Sequence, residues 1–348
     1  RRGRLRAPAM TRRTWDQPKG EVRRIAVDSQ ALRGNPLGDP HQRSIDVYLP
    51  PGYKPWTKVP LLVDLAGFTG SGLGHTNWRA FTENVPERLD RLIASGAMGP
   101  VAVAFPDCYT RLGGNQYINS AGMGAYADFL IQEVVPQAET TFGCGGQGRR
   151  GLFGKSSGGY GAIVHGMLHA DFWSAVACHS GDMAFELIYL HDMPSTLNVL
   201  ARHGRSVEAF IRHFEAQKKP SDKETHALMI LAMAATYDPD PRQYLSIRLP
   251  VDLETCEIIP ERWALWTRWD PLVLAETRTS ELKKLKGLFI DCGVEDQYHL
   301  HYGARRLSRL LASNGVTHTF EEFNDNHSSI DYRMDTSLPF LEKALRGG

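Results

Sequence analysis

At 348 residues, with 42% hydrophobic and 23% charged side chains and a formal net charge of +1, the chain has an ordinary globular composition. This excludes the disordered and collagen-like classes. The length suits one large α/β domain with an insertion or two modest domains, each with a sizeable core.

Residues 1–24 form a basic N-terminal arm, with nine Arg or Lys against two acids, so the remainder is slightly acidic. The body shows no basic stripe with interleaved aromatics, and no nucleic-acid partner is expected. No apolar run approaches the roughly 20 residues that span a bilayer. No apolar segment follows the arm as a secretion signal requires, so no membrane association and a cytoplasmic location are expected. Cys108, Cys144, Cys178, Cys256 and Cys292 are widely spread without a C-x-x-C pair; neither a disulfide framework nor a zinc knuckle is expected, and a reducing compartment fits.

Val22 to Asp28 and Ser44 to Leu49 alternate in polarity around a Gly/Pro-rich loop and predict an antiparallel edge pair. Pro60 to Leu65 and Pro100 to Phe105 are nearly continuous apolar runs, as strands covered on both faces must be. Between them Trp78 to Ala94 reads as a helix interrupted by Pro86, and Tyr126 to Thr140 as another. Strands are predicted at Arg149 to Phe153, Trp173 to Cys178, Leu288 to Cys292 and Thr317 to Phe323. Helices are predicted directly after the first, at Tyr302 to Leu311 and at Ile330 to Leu345. Such alternation implies a mostly parallel sheet with right-handed crossovers.

The stretch from 183 to 286 interrupts the alternation and reads as an inserted, mainly helical cap, with helices at Val207 to Ala216 and Lys223 to Thr236. The core is then expected over 25–182 and 287–348. Trp263, Trp266 and Trp269 stand at helical spacing. Either they seal the cap against the body, or they form an aromatic wall facing a substrate.

The most informative segment is Phe153-Gly154-Lys155-Ser156-Ser157-Gly158-Gly159-Tyr160-Gly161. A serine exposed on a sharp strand-to-helix turn needs almost no side chain two residues before and after it. Gly154 and Gly158 meet that need for Ser156; Ser157 fails it, because Lys155 lies two before. Ser156 is therefore the candidate nucleophile. A serine hydroxyl needs a histidine to take its proton and an acid to hold that histidine in the useful tautomer. In this arrangement they follow the serine as acid, then histidine.

The strand ending at Cys292 exits through Gly293-Val294-Glu295-Asp296, and the strand ending at Phe323 through Asn324-Asp325-Asn326-His327. Loops at strand C-terminal ends build the site of an open α/β sheet. Asp296 is the expected acid, with Asp291 and Glu295 as rivals, and His327 the expected base; His318 is read as packing or surface. Backbone N–H groups of Ser157 and Phe68, the latter in the glycine-rich loop after Leu65, are the expected oxyanion donors.

Other constellations are weaker. His165 and His169 lack the glutamate of a zinc protease helix, and His299 and His301 with Asp296 make only a nominal metal cluster. Neither metal nor cofactor is expected. Lys155 either favours an anionic substrate or packs its stem.

Taken together, these motifs resemble the putative-esterase family of α/β hydrolases, which includes esterase D, feruloyl esterases, enterochelin-esterase-like proteins and mycolyltransferases. Beside the elbow at Gly154 to Gly159, the similarity runs through Val47-Tyr48-Leu49-Pro50-Pro51-Gly52-Tyr53, Phe105-Pro106-Asp107, Gly114-Asn115-Gln116-Tyr117, Gly293 to Asp296 and His327. Departures are Ala66-Gly67 where many members carry His-Gly or Ser-Gly, Lys155 and Ser157 where esterase D-like members often have His and Met, and the long insertion. The resemblance implies an α/β-hydrolase fold and a serine esterase acting on a small or medium acyl ester. An acyltransferase with the same triad and a non-catalytic binding protein are the alternatives.

Overall fold

The computed structural model describes residues 16–347; residues 1–15, most of the basic arm, lie outside the described residues. The chain builds an eight-stranded sheet from β1 (Glu21–Asp28), β2 (Gln42–Leu49), β3 (Leu61–Leu65), β4 (Ala102–Pro106), β7 (Arg150–Lys155), β8 (Ala175–His179), β9 (Gly287–Gly293) and β10 (Thr319–Phe323). A two-stranded ribbon, β5 (Asn119–Ser120) with β6 (Gly124–Ala125), stands apart.

The order across the main sheet is β1-β2-β4-β3-β7-β8-β9-β10. β1 with β2 and β2 with β4 are antiparallel, and every later pair is parallel. The strand begins at Glu21, which pairs with Leu49, so the arm expected to reach residue 24 gives up its last four residues to the sheet. Their side chains alternate outward on an edge strand, where charge discourages pairing with another chain.

The central strands are buried on both faces because helices cover both. On one side α2 (Val85–Ala94) and α12 (Met334–Leu345) pack Leu89, Leu92, Leu338 and Leu341 onto Leu62, Phe105, Phe153 and Phe289. On the other lie α5 (Ser157–Leu168), the helical run α3 (Tyr126–Asp128), a π-helical segment (Phe129–Val134) and α4 (Val135–Phe142), and α11 (Leu300–Ser313).

Two helix expectations need correction. The helix predicted from Trp78 starts only at Val85: Pro86 sits in its first turn, where its missing N–H is harmless. Asn84 caps it, taking the Glu87 N–H at 2.8 Å while Glu87 takes the Asn84 N–H at 3.0 Å. Ahead of it only a short helix, α1 (Gly72–Thr76), forms. The helix predicted over Tyr126 to Thr140 runs on to Phe142 with a π-helical middle. His318 lies one residue before β10, bonded to Ser308 Oγ at 2.8 Å, which agrees with a packing role.

Between β8 and β9 come α6 (Phe185–Ala201), α7 (Val207–Ala216), α8 (Asp222–Tyr237), α9 (Pro260–Thr267) and α10 (Pro271–Leu282). α6 was not foreseen. Its first N–H groups are satisfied by the carboxylate of Asp270, which takes Ala184 N at 3.1 Å and Phe185 N at 2.7 Å and also caps α10 through Leu272 N at 2.9 Å. α6 packs on α8, whereas α10 packs on α5 and α11 as a layer helix beside the sheet. Of the three tryptophans, Trp266 is fully buried, edge-on to Tyr189 and against Tyr237. Trp263 and Trp269 are partly buried on the same core. Trp266 thus packs on α6 and α8 within the inserted segment, while the Trp269 carbonyl takes the Tyr160 hydroxyl of α5 at 3.0 Å.

Among the described residues, no helix is long and apolar enough to cross a membrane.

Candidate active site

β7 delivers Ser156 into a backbone conformation that L residues rarely adopt, φ 59° and ψ −123°, before α5 begins at Ser157. Such strain persists only where the surroundings fix it. Here they do: Ser156 N donates to the His179 carbonyl at 3.0 Å, and Tyr160 N donates back to the Ser156 carbonyl at 2.8 Å. A Cβ at Gly154 would lie 2.5 Å from Leu65 O and 2.6 Å from Gly158 C. The two glycines expected from the sequence are thus required by contact with the neighbouring strand. Ser157 is buried, unlike Ser156.

The loop after β3 lies directly against the elbow. A Cβ at Gly67 would stand 3.7 Å from Ser156 Cβ and 3.5 Å from Lys155 O. The loop is held from behind, since Tyr117 Oη donates to Ala66 O at 2.6 Å and Gly114 N to Phe68 O at 2.7 Å. With the carbonyls of Ala66 and Phe68 so engaged, no hydrogen bond within the described residues uses the Phe68 N–H or the Ser157 N–H. Ser157 opens α5, where N–H groups have no intrahelical partner and the helix dipole is positive.

On the far strands, Asp296 Oδ2 meets His327 Nδ1 at 2.8 Å, while Asp296 Oδ1 takes the Tyr298 N–H at 2.9 Å. His327 N donates to Gln297 Oε1 at 2.9 Å, and the Tyr298 ring stands edge-on to the imidazole with centroids 4.9 Å apart. The two loops interlock at Gly293, where a Cβ would fall 2.2 Å from Asp325 O.

The rivals lie elsewhere. Asp291 is fully buried, bonded to His179 Nδ1 at 2.7 Å and Arg333 Nε at 2.8 Å, and His179 reaches Ser337 Oγ of α12 at 2.8 Å. The Glu295 side chain is exposed. Lys155 donates to the His327 carbonyl at 3.1 Å, and burial pulls its pKa down. It thus tethers the His327 loop.

A cavity of about 540 Å³ opens here, and Ser156, Phe68, Lys155 and His327 all line it. α6 contributes Ile188, Tyr189 and Asp192, α8 contributes Thr225, His226 and Met229, and Asp182 faces in from the loop after β8. None of the three tryptophans does.

Several of these groups carry no sequence signal. Asp64 in β3 meets His75 Nδ1 at 2.6 Å, and that carboxylate raises the histidine's pKa against the opposing effect of burial. Arg79 pairs with Asp331 beside them. Asp192 raises His226 in the same way, at 3.4 Å.

His165, considered with His169 for a metal, is buried with both ring nitrogens engaged. Nε2 donates to Tyr117 O at 2.7 Å and Nδ1 accepts from Trp173 Nε1 at 3.0 Å. Burial pushes its pKa down to about 3. Among the described residues, no three His, Cys, Asp or Glu side chains cluster as a metal site.

A parallel sheet flanked by helices, with a serine elbow after the strand at its centre, defines an α/β hydrolase. Residues 40–336 match the family model described as putative esterase, and the chain belongs to that family of carboxylic ester hydrolases. No curated protein matches its sequence.

Among solved structures it is similar to a ferulic acid esterase, with 19% identity, a TM-score of 0.60 and coverage of 94% of this chain and 99% of the other. It is likewise similar to the S-formylglutathione hydrolase FrmB from Staphylococcus aureus, with 15% identity, a TM-score of 0.55 and coverage of 93% and 99%. The ferulic acid esterase AmCE1/Fae1A from Anaeromyces mucronatus follows with 13% identity, a TM-score of 0.56 and coverage of 97% of each chain.

Proposed function

We propose that the chain is a serine carboxylester hydrolase acting through an acyl-enzyme on small or medium acyl esters. The observation that carries this reading is the meeting, in one cavity, of Ser156 at its strained turn with His327, whose Nδ1 is held by Asp296 Oδ2 at 2.8 Å.

Ser156 Oγ attacks the ester carbonyl carbon as His327 Nε2 takes its proton, and the Asp296 carboxylate holds Nδ1–H and stabilises the imidazolium. The carbonyl oxygen becomes an oxyanion facing the Phe68 and Ser157 N–H groups. Collapse breaks the bond to the alcohol oxygen, which leaves with the proton from His327. Water then adds to the acyl-enzyme, giving its proton to His327. The acid departs as Ser156 Oγ recovers that proton. Helices α6 and α8 act as a cap over this centre and select the substrate, with Ile188 and Met229 as apolar wall.

The test is hydrolysis of a p-nitrophenyl ester series from acetate to decanoate by the wild type and by Ser156→Ala, each checked for folding by circular dichroism, with fluorophosphonate labelling alongside. Wild-type turnover and labelling that vanish in the folded variant are the expected result. Turnover that survives Ser156→Ala would remove Ser156 from the mechanism.

A further inference from the structure

Eleven carboxylates among the described residues are buried, and a buried carboxylate normally meets a cation or several N–H donors. Ten follow that pattern. Asp64, Asp291 and Asp296 meet His75, His179 with Arg333, and His327. Asp46, Glu83, Asp238, Asp240 and Glu342 each meet an arginine. Asp270 takes three backbone N–H groups, and Asp90 takes the Gly20 N–H and the Tyr48 hydroxyl beside the charge of Lys19. Among the described residues, Asp182 is hydrogen-bonded by neither a cation nor a backbone N–H.

Asp182 is 8% exposed. Its Oδ2 accepts from two neutral donors, Gln116 Nε2 at 3.0 Å and Tyr189 Oη at 3.0 Å. No hydrogen bond within the described residues reaches Oδ1, and Asp182 lines the cavity that holds Ser156. The Gln116 and Tyr189 side chains are themselves buried and tied to Tyr237 Oη, so the carboxylate is held in place from behind.

The basic groups of the cavity are engaged: His75 with Asp64, Arg79 with Asp331, Lys155 with the His327 carbonyl, and His226 with Asp192. The charged groups that act most on Asp182 are His327, which favours its ionised form, and Asp296, which opposes it. Burial, the largest influence, raises its pKa, and the hydrogen bonds from Gln116 and Tyr189 oppose it. A neutral hydroxyl would leave the negative charge uncompensated; an ammonium would supply both charge and hydrogen bonds.

We propose that Asp182 is a specificity-determining residue that receives a primary ammonium group on the substrate, so that the preferred esters are those of amino-substituted acids or alcohols. The inference rests on the esterase reading for the words "substrate" and "ester", and on the cavity alone for the binding of the cation. Ile188 and Met229 line the space that the intervening carbon chain crosses.

The test compares naphthyl esters of 3-aminopropanoic, 3-hydroxypropanoic and butanoic acids at fixed ionic strength. For alcohol-side recognition, it also compares 2-aminoethyl and propyl butanoates. In one of the two series the ammonium ester is expected to exceed its alkyl isostere at least tenfold in kcat/KM. Asp182→Asn is expected to bring that ratio close to one. Equal rates in both series, or preference for the hydroxyl ester, would overturn the proposal.

Should Asp182→Asn fail to fold, wild-type protein is titrated with n-butylammonium and n-butanol and followed by ligand NMR. Tighter binding of the cation, lost at pH values where Asp182 is protonated, is expected; equal binding refutes the proposal. This readout needs no turnover. Absent hydrolysis with retained cation binding would therefore sink the esterase reading alone, and hydrolysis without cation selectivity would sink this inference alone.

Discussion

A Cβ added to Gly158 would stand 1.8 Å from the carbonyl oxygen of Leu65. The first turn of α5 is thereby wedged against β3, and the turn that presents Ser156 has no room to relax. Gly158→Ala is expected to destabilise the protein by at least ~3 kcal/mol, at the upper end of overpacking costs. Gly166→Ala, on the same helix, meets only the ends of Leu285, Val176 and Leu282 at 3.3 to 3.4 Å. There the gain of about 1 kcal/mol in helix propensity offsets the crowding. Urea unfolding of the two variants checks the contrast.

Asp291 and Asp296 lie five residues apart and are expected to fail differently. Asp296→Asn should lower kcat by about 10³–10⁴-fold with the His327 tautomer lost, in line with removal of a triad acid, and leave the melting temperature within a few degrees. Asp291→Asn removes the carboxylate beside buried His179 and one of the two beside Arg333, which keeps Glu321, and should cost on the order of 3 kcal/mol, while the molecules that remain folded keep near wild-type kcat. Paired melting curves and active-site titration separate the two.

His165 makes stability depend on acid. Its folded-state pKa is depressed to about 3, against about 6.5 for a free histidine. Below pH 6.5 the unfolded chain binds a proton that the folded protein refuses. The histidine's contribution is therefore complete above that pH and is lost as pH falls toward 3, by about 1.4 kcal/mol per unit. Denaturant midpoints of wild type and His165→Gln between pH 4 and 7 should converge as the pH is lowered; parallel curves would contradict the burial of a neutral imidazole.

Acyl-chain preference should follow the cavity wall and ignore the tryptophans. Met229→Ala opens space in the cavity that holds Ser156 and is expected to shift the optimum of the p-nitrophenyl series toward longer chains. Trp266→Phe, outside the cavity but fully buried, should lower the melting temperature through the loosened contact with Tyr189 and Tyr237 and leave the optimum in place.

Much of this was legible because the signals are local. The elbow announces itself through Gly154 and Gly158, since the contact that forbids a Cβ is imposed by the turn itself. α7 spans Val207–Ala216 as its helical pattern indicates, and Ser206 caps it by taking Ala209 N at 3.1 Å. Asp296 and His327 could be ordered because strand ends are readable. What escaped depends on distant partners: α6 is capped by Asp270, more than 80 residues later, and carries Pro194 inside it, both of which mask a helix in the sequence. Nor does any spacing show that Asp64 meets His75 or that Gln116 and Tyr189 converge on Asp182.

β8 and β9 are hydrogen-bonded neighbours, Ala175 beside Gly287, although α6 through α10 separate them along the chain. The excursion leaves and re-enters the sheet at adjacent positions, so its length is decoupled from strand register. Closing a loop twice as long costs only about 0.6 kcal/mol more in chain entropy. The segment between β8 and β9 can therefore be lengthened or trimmed like a cassette without shifting the strands, provided that α10 still lands on α5.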